Sequence, residues 1–168
     1  MDCGHSVGLH GVSWLFGLSC SPVNEIREAA FDGLSLGRLY QILRLRVAVF
    51  IVEQQCPYME IDDLDVEAAH LWIDDEQGLA SYLRVIREEN GCRIGRVVTR
   101  PDARSRGLSR KLITHVIDSK DGPWVLSAQA HLGDWYRSLG FNQNGPEFLE
   151  DGIPHVPMLR EIEDTRKN

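Results

Sequence analysis

The segment Arg104-Ser105-Arg106-Gly107-Leu108-Ser109, continued by Arg110 and Lys111, carries the most pointed chemistry in this chain. It follows Val97-Val98-Thr99-Arg100-Pro101, a strand end broken by proline, and runs into a helical pattern. Small residues at 105, 107 and 109 let backbone N–H groups approach a phosphate closely. The new helix adds free N–H groups and the positive end of its dipole. Arg104, Arg106, Arg110 and Lys111 supply charge for a pyrophosphate. The competing reading is a basic, solvated helix start. Neither G-x-x-x-x-G-K-[ST] nor G-x-G-x-x-G occurs, which excludes the two better-known phosphate loops. Other charged residues gather in Gln54 to Asp65, where Glu60, Asp62, Asp63 and Asp65 crowd together. They would attract a cationic amine, or form a solvated acidic loop, the commoner meaning of such a run. They do not fit the calcium template D-x-[DN]-x-[DN]-G. Cys3, Cys20, Cys56 and Cys92 are scattered without a C-x-x-C pair, so no metal site is expected and the thiols read as free, in a reducing compartment.

The elements that must position these groups follow from pattern. Glu25 to Phe31 reads as a first strand. Leu36, Leu39, Tyr40, Leu43, Val47 and Phe50 fall on one helical face, with Ser35 as N-cap. Gln54 to Asp65 is a loop. His70 to Asp74, Leu79 to Ile86 and Arg93 to Thr99 read as a three-strand meander, with Glu88-Glu89-Asn90-Gly91 turning between the last two. Leu112, Ile113 and Val116 give Leu108 to Ile117 helical periodicity. Trp124 to Gln129 is a strand, and Asp134 to Leu139 a short helix closed by Gly140 as C′ residue. Phe148 and Val156 to Leu159 read as late strands. Strands outnumber helices in a mixed α/β chain.

The chain's 168 residues suffice for one domain with a hydrophobic core. Its net charge of -7 argues against a general nucleic-acid binder, which needs a basic surface. It suits a cationic substrate, and equally plain solubility. No apolar run reaches the ~20 residues of a membrane span. Val12 to Cys20 is apolar but short, and Asp2, His5 and His10 precede it without Lys or Arg, so no secretory signal is expected. Residues 1–22 read as an N-terminal extension before a single domain at 23–168.

Arg104-x-x-Gly107-x-Ser109 after the V-x-x-P strand end resembles the acetyl-CoA loop of the GNAT superfamily, whose usual form is Q/R-x-x-G-x-G/A; Ser109 departs from it. Tyr136-Arg137-Ser138-Leu139-Gly140-Phe141 resembles that superfamily's downstream Y-x-x-x-G-F signature. Leu45 to Tyr58, Ala128-Gln129-Ala130-His131-Leu132 and Glu150-Asp151-Gly152-Ile153-Pro154-His155 resemble the ElaA-like branch. The resemblance spans about Glu25 to Arg160.

That resemblance implies a cytoplasmic N-acetyltransferase of α/β (α+β) class, passing the acetyl group of acetyl-CoA directly to a small-molecule or peptide amine. It implies a mostly antiparallel central sheet flanked by helices and splayed at the acetyl-CoA site. No metal, nucleic acid or membrane is implied. Val97, Val98 and Thr99 would contact the acetyl group and pantetheine through their backbone. Arg104, Ser105, Arg106, Gly107, Leu108, Ser109 and Arg110 would hold the pyrophosphate, with the Ser109 hydroxyl as an added contact. Tyr136 would give a proton to the leaving thiolate; its other reading is a core aromatic. Glu53, His70, His131 and His155 are all candidates for the base. Gln54, Tyr58, His70, Gln129 and His155 would form the acceptor site. A different function class stays open, an acetyl-CoA sensor without turnover, which would need the loop but no acid at Tyr136.

Overall fold

The computed structural model describes residues 24–119 and 122–162. The expected extension, 1–22, lies outside the described residues, as do Cys3 and Cys20. Strand β1 (Ile26–Ala30) leads through a 3₁₀ turn to helix α1 (Leu36–Arg46). Ser35 caps it as expected, its Oγ accepting from the Arg38 amide at 3.1 Å. The helix continues as a π-helical stretch, Val47–Glu53. There the Gln54 amide donates to the Val49 carbonyl at 3.1 Å and the Cys56 amide to that of Ile51 at 3.2 Å. Such i→i−5 bonds fit an extra residue into the turn and recur at functional sites. Here the stretch ends at Glu53 and Gln54, both of which reach the central cleft.

The packed face of α1 differs from the expected one. Ile42, Leu45, Arg46 and Val49 are buried, whereas Leu36 and Tyr40 are 87% and 68% exposed. Apolar residues occur on both sides of this helix. The sheet takes the one that also carries Arg46 inward.

Strands β2 (Ala69–Asp75), β3 (Gly78–Glu88) and β4 (Gly91–Thr99) form the expected antiparallel meander. Helix α2 (Leu108–Ser119), β5 (Trp124–Gln129), α3 (Gly133–Arg137), β6 (Asn142–Gln143), β7 (Phe148–Glu150) and β8 (Ile153–Arg160) complete an eight-stranded, mostly antiparallel sheet. Its order is β1-β2-β3-β4-β5-β8-β6, with β7 also on β8. Alternation along the strands divides the core. Trp72, Tyr82 and Val98 pack against α1, while Leu71, Ile73, Leu83 and Ile94 pack with Leu108, Leu112, Ile113 and Val116 of α2 and with Tyr136 of α3.

The acidic loop is not solvated as its composition suggested. Glu60 and Asp65 are buried beside Arg46, which is fully buried. Arg46 Nε donates to Glu60 Oε1 at 2.7 Å and Nη1 to Asp65 Oδ1 at 2.7 Å. Arg84 pairs with Asp62 and Asp65, and Arg96 with Glu60 and Asp62. Three guanidinium groups thus match three carboxylates. Burial pushes the Asp62 carboxyl up, but the hydrogen bonds and charge of Arg84, then the charge of Arg96, outweigh it and hold it at about 2. Asp65 is likewise held below the usual range, burial being outweighed by Arg46 and Arg84. Both pKa values are depressed by folding, so their contribution is full above the ordinary value of about 4 and is lost as pH falls toward 2. Melting temperature is therefore expected to drop steeply below about pH 4. Asp62→Asn should flatten that drop; an unchanged slope in the variant would contradict the assignment.

Candidate active site

Strand β4 pairs with β3 from Gly91 to Thr99. With β5 it pairs in parallel only at Cys92–Trp124 and Arg93–Val125. Beyond these the two strands separate, and no ladder joins Ile94–Thr99 to Leu126–Gln129. A bulge sharpens the divergence: the β3–β4 register slips between Tyr82 and Arg84, and Arg96 on β4 takes φ 52°. Facing strand edges expose N–H and C=O groups that the sheet does not use, and an extended ligand can bind them. The separation opens a cleft of about 860 Å³, a size suited to a cofactor-sized molecule.

Val97, Val98 and Thr99 line one wall. Above them Pro101–Ala103 makes a 3₁₀ turn, and the loop to α2 curls through positive φ at Ser105 (61°) and Gly107 (74°). Nothing lies within 4 Å of a Cβ built on Gly107. Glycine is therefore there for its backbone angle and for the open space above it, not for packing. The Lys111 amide bonds back to the Gly107 carbonyl at 2.9 Å, so the amides of 108–110 are the free donors that begin α2. The Ser109 hydroxyl bonds inward to Thr99 Oγ1 at 2.6 Å, and Ser81 joins the same group at 2.9 Å. That chain of hydroxyls pins the helix start to β3 and β4.

The loop's cations divide. Arg104 and Arg110 line the cleft. Arg104 makes a two-pronged pair with Glu53, both bonds 2.8 Å. Arg110 lies over Trp135, 5.7 Å from its ring centre, and bonds Ser138. The Arg106 side chain turns away to Asp75 at 2.7 Å and does not line the cleft.

Tyr136 lines the cleft from α3, buried between Trp135 and Phe141 with both rings edge-on. Burial alone pushes its phenol well above the ordinary value, so it stays protonated and can only donate to an anion. Glu53, Gln54, Tyr58, Gln129, His131 and His155 also reach the cleft. Gln129 Nε2 donates to Gln54 Oε1 at 3.1 Å, tying β5 to the residue that closes the π-helical stretch. His70 is not brought there. It is fully buried, with Nδ1 on the Tyr82 hydroxyl at 2.8 Å and Nε2 on the Asp65 carbonyl at 2.9 Å. Sequence reasoning missed Arg84 and Arg96, which line the cleft together with Asp62 and rest on the buried ion pairs. The available signal was an arginine inside each apolar strand run, Leu83-Arg84-Val85 and Gly95-Arg96-Val97. A charge so placed needs a buried partner.

The family profile described as an acetyltransferase (GNAT) domain matches residues 39–162. The chain belongs to the GNAT acetyltransferase family. It is an acyltransferase of that type, as the loop and the Y-x-x-x-G-F segment led one to expect. A UPF0039 protein of Mycobacterium tuberculosis is 46% identical over 143 residues, 80% of this chain and 92% of its own. The crystal structure of Escherichia coli ElaA superposes with a TM-score of 0.77 at 34% identity, covering 83% of this chain and all of that one. An acyl-CoA N-acyltransferase from Pseudomonas aeruginosa gives 0.77 at 38% identity, covering 82% of this chain and 99% of that one. GNAT domains use acetyl-CoA and act on amine acceptors. Among the described residues no group of His, Cys, Asp or Glu is arranged to hold a metal ion, and no helix is long and apolar enough to cross a membrane.

Proposed function

We propose that this GNAT domain, residues 23–168, passes the acetyl group of acetyl-CoA directly to an amine, with both substrates in the cleft at once. The observation that carries this is the separation of β4 from β5 directly below the free amides that begin α2. The Ile94–Thr99 edge would receive the pantetheine amides and the thioester carbonyl. The amides of 107–110, with Arg104 and Arg110, would hold the pyrophosphate. The Tyr136 hydroxyl would serve the leaving thiolate. Gln54, Tyr58, Gln129 and His155 would face the amine from the α1 side, with Glu53 and His131 at the rim. Cytoplasmic placement accords with the free thiols of Cys56 and Cys92.

A transfer through a cysteine would need an exposed, activated thiol. Cys56 is buried, and its Sγ donates to the Asp151 carbonyl at 3.3 Å. Turnover is tested with acetyl-CoA across a panel of alkyl amines, arylamines and peptide N-termini, with thiol release as the readout. Intersecting double-reciprocal lines are expected, and Cys56→Ala should keep kcat within about threefold. Parallel lines with an inactive Cys56→Ala would overturn direct transfer. Thiol release with none of the amines would overturn the function.

A further inference from the structure

Several groups reach the cleft that could take a proton from the acceptor, and their surroundings separate them. Glu53 is bound on both carboxylate oxygens by Arg104, whose hydrogen bonds and charge hold its pKa below the usual carboxylate range. A carboxylate so held is a weak base. His70, the remaining sequence candidate, does not reach the cleft: it is fully buried with both ring nitrogens engaged. His131 lies exposed on the 3₁₀ turn Ala130–Leu132, and no hydrogen bond among the described residues orients its ring.

His155 differs from all three. Its Nδ1 lies 2.8 Å from the carbonyl oxygen of Ile153. A carbonyl only accepts, so the proton sits on Nδ1, and in the neutral ring Nε2 then carries the lone pair. The ring is held against Phe148, with centroids 6.0 Å apart. It pairs across the ladder with Gln129, at the end of β5 farthest from where β4 and β5 join. Gln129 is itself fixed by Gln54. Nε2 is 3.9 Å from the Glu150 carboxylate, which stands on β7 and also lines the cleft. That spacing is too long for a direct hydrogen bond. It suits an ammonium group touching both. The other titratable and charged groups lining the cleft nearby include Asp151 in the β7–β8 turn, Cys56 bonded to its carbonyl, Tyr58 beneath Arg96, His131, and Glu53 with Arg104.

We infer that His155 is the general base of the acetyl transfer and that Glu150 guides the ammonium form of the acceptor onto its Nε2. This rests on the function proposed above. The acceptor class it names is an alkyl amine, which arrives protonated. His155 Nε2 takes one proton from R–NH3⁺ and passes it to water. The freed amine forms the N–C bond to the thioester carbonyl. As the C–S bond breaks, a second nitrogen proton leaves and the thiolate takes up a proton, by way of Tyr136. The products are the amide, CoA thiol and one proton released to solvent.

The test compares the best alkyl amine of the panel with the best arylamine, which is already neutral at pH 7. His155→Asn can still donate to the Ile153 carbonyl but has no basic nitrogen. It should lose about 10²- to 10⁴-fold in kcat/KM on the alkyl amine at pH 7. The loss should shrink as pH rises and should be slight on the arylamine. His155→Gln should behave alike should His155→Asn melt early, and imidazole should restore His155→Ala in proportion to its concentration. Equal losses on both amines at every pH, without imidazole rescue, would reduce His155 to a structural residue. Full activity in His155→Asn would remove it from the reaction. A wild type that acetylates arylamines alone would overturn the acceptor class. A wild type that releases thiol with no amine at all fails the underlying function, a failure visible without any variant.

Discussion

Arg46→Met is expected to destabilise the fold by about 3–5 kcal/mol, because it removes a buried cation and leaves three carboxylates to two guanidinium groups. Arg46 is fully buried and holds Glu60 through Nε at 2.7 Å and Nη2 at 3.0 Å, and Asp65 through Nη1 at 2.7 Å. In the variant Glu60 keeps Arg96 and Asp65 keeps Arg84, but one carboxylate charge goes unmatched. Asp65 Oδ2 already lacks a partner, so Asp65 has no reserve. For a chain of this length each kcal/mol shifts Tm by about 2–4 °C, so a drop of roughly 6–20 °C should appear in a thermal melt. Arg46→Lys keeps the charge but cannot reach both carboxylates in the same fork, and should fall between. The damage should also reach the site, since Arg96 and Asp62 line the cleft. A Tm within about 2 °C of wild type would mean water relieves the unpaired charge, and that the network is not buried as described.

Tyr136→Phe is expected to lower kcat by about 10²- to 10⁴-fold while leaving acetyl-CoA affinity nearly unchanged. The phenylalanine ring keeps the edge-on contacts with Trp135 and Phe141, so the local packing survives. Only the donor is lost, and it matters as negative charge develops on sulfur. Burial raises the phenol's pKa, so no activity should be lost to its ionisation below about pH 10. Pre-steady-state thiol release, set beside a calorimetric titration of CoA, checks both halves. Full kcat with chemistry shown to limit turnover would return Tyr136 to the core.

The parts legible in the sequence are those set by local chemistry. Ser35 capping α1, Gly140 at φ 85° closing α3, and Trp124–Gln129 as β5 all follow from short-range preferences. The turn from β4 through Pro101 into α2 was legible for the same reason, since a strand end, a proline and small residues lie side by side. What was hidden depends on partners distant in sequence. The buried face of α1 is chosen by the sheet and by the acidic loop, not by helical period. Glu60 and Asp65 look solvated until Arg46, Arg84 and Arg96 arrive from three other elements. Arg106 resembles its neighbours in the loop, yet Asp75 draws it away. The tautomer of His155 depends on a backbone carbonyl two residues back, which only the turn into β8 brings into place.

Hydrogen–deuterium exchange with and without acetyl-CoA tests most directly whether the separated strands receive the cofactor. The unpaired edge of β4 at 94–99 and the amides at 107–110 should be strongly protected on binding, because the ligand bonds the very N–H groups the sheet leaves open. Segments far from the cleft, such as β1 and β2, should change little. At a hundredfold over its Kd the cofactor should also add about 2.7 kcal/mol to stability. Gly107→Asp, which puts bulk and negative charge where the pyrophosphate is proposed to bind, should abolish both effects. Protection that spares 94–99 and 107–110, or that persists in Gly107→Asp, would contradict the account.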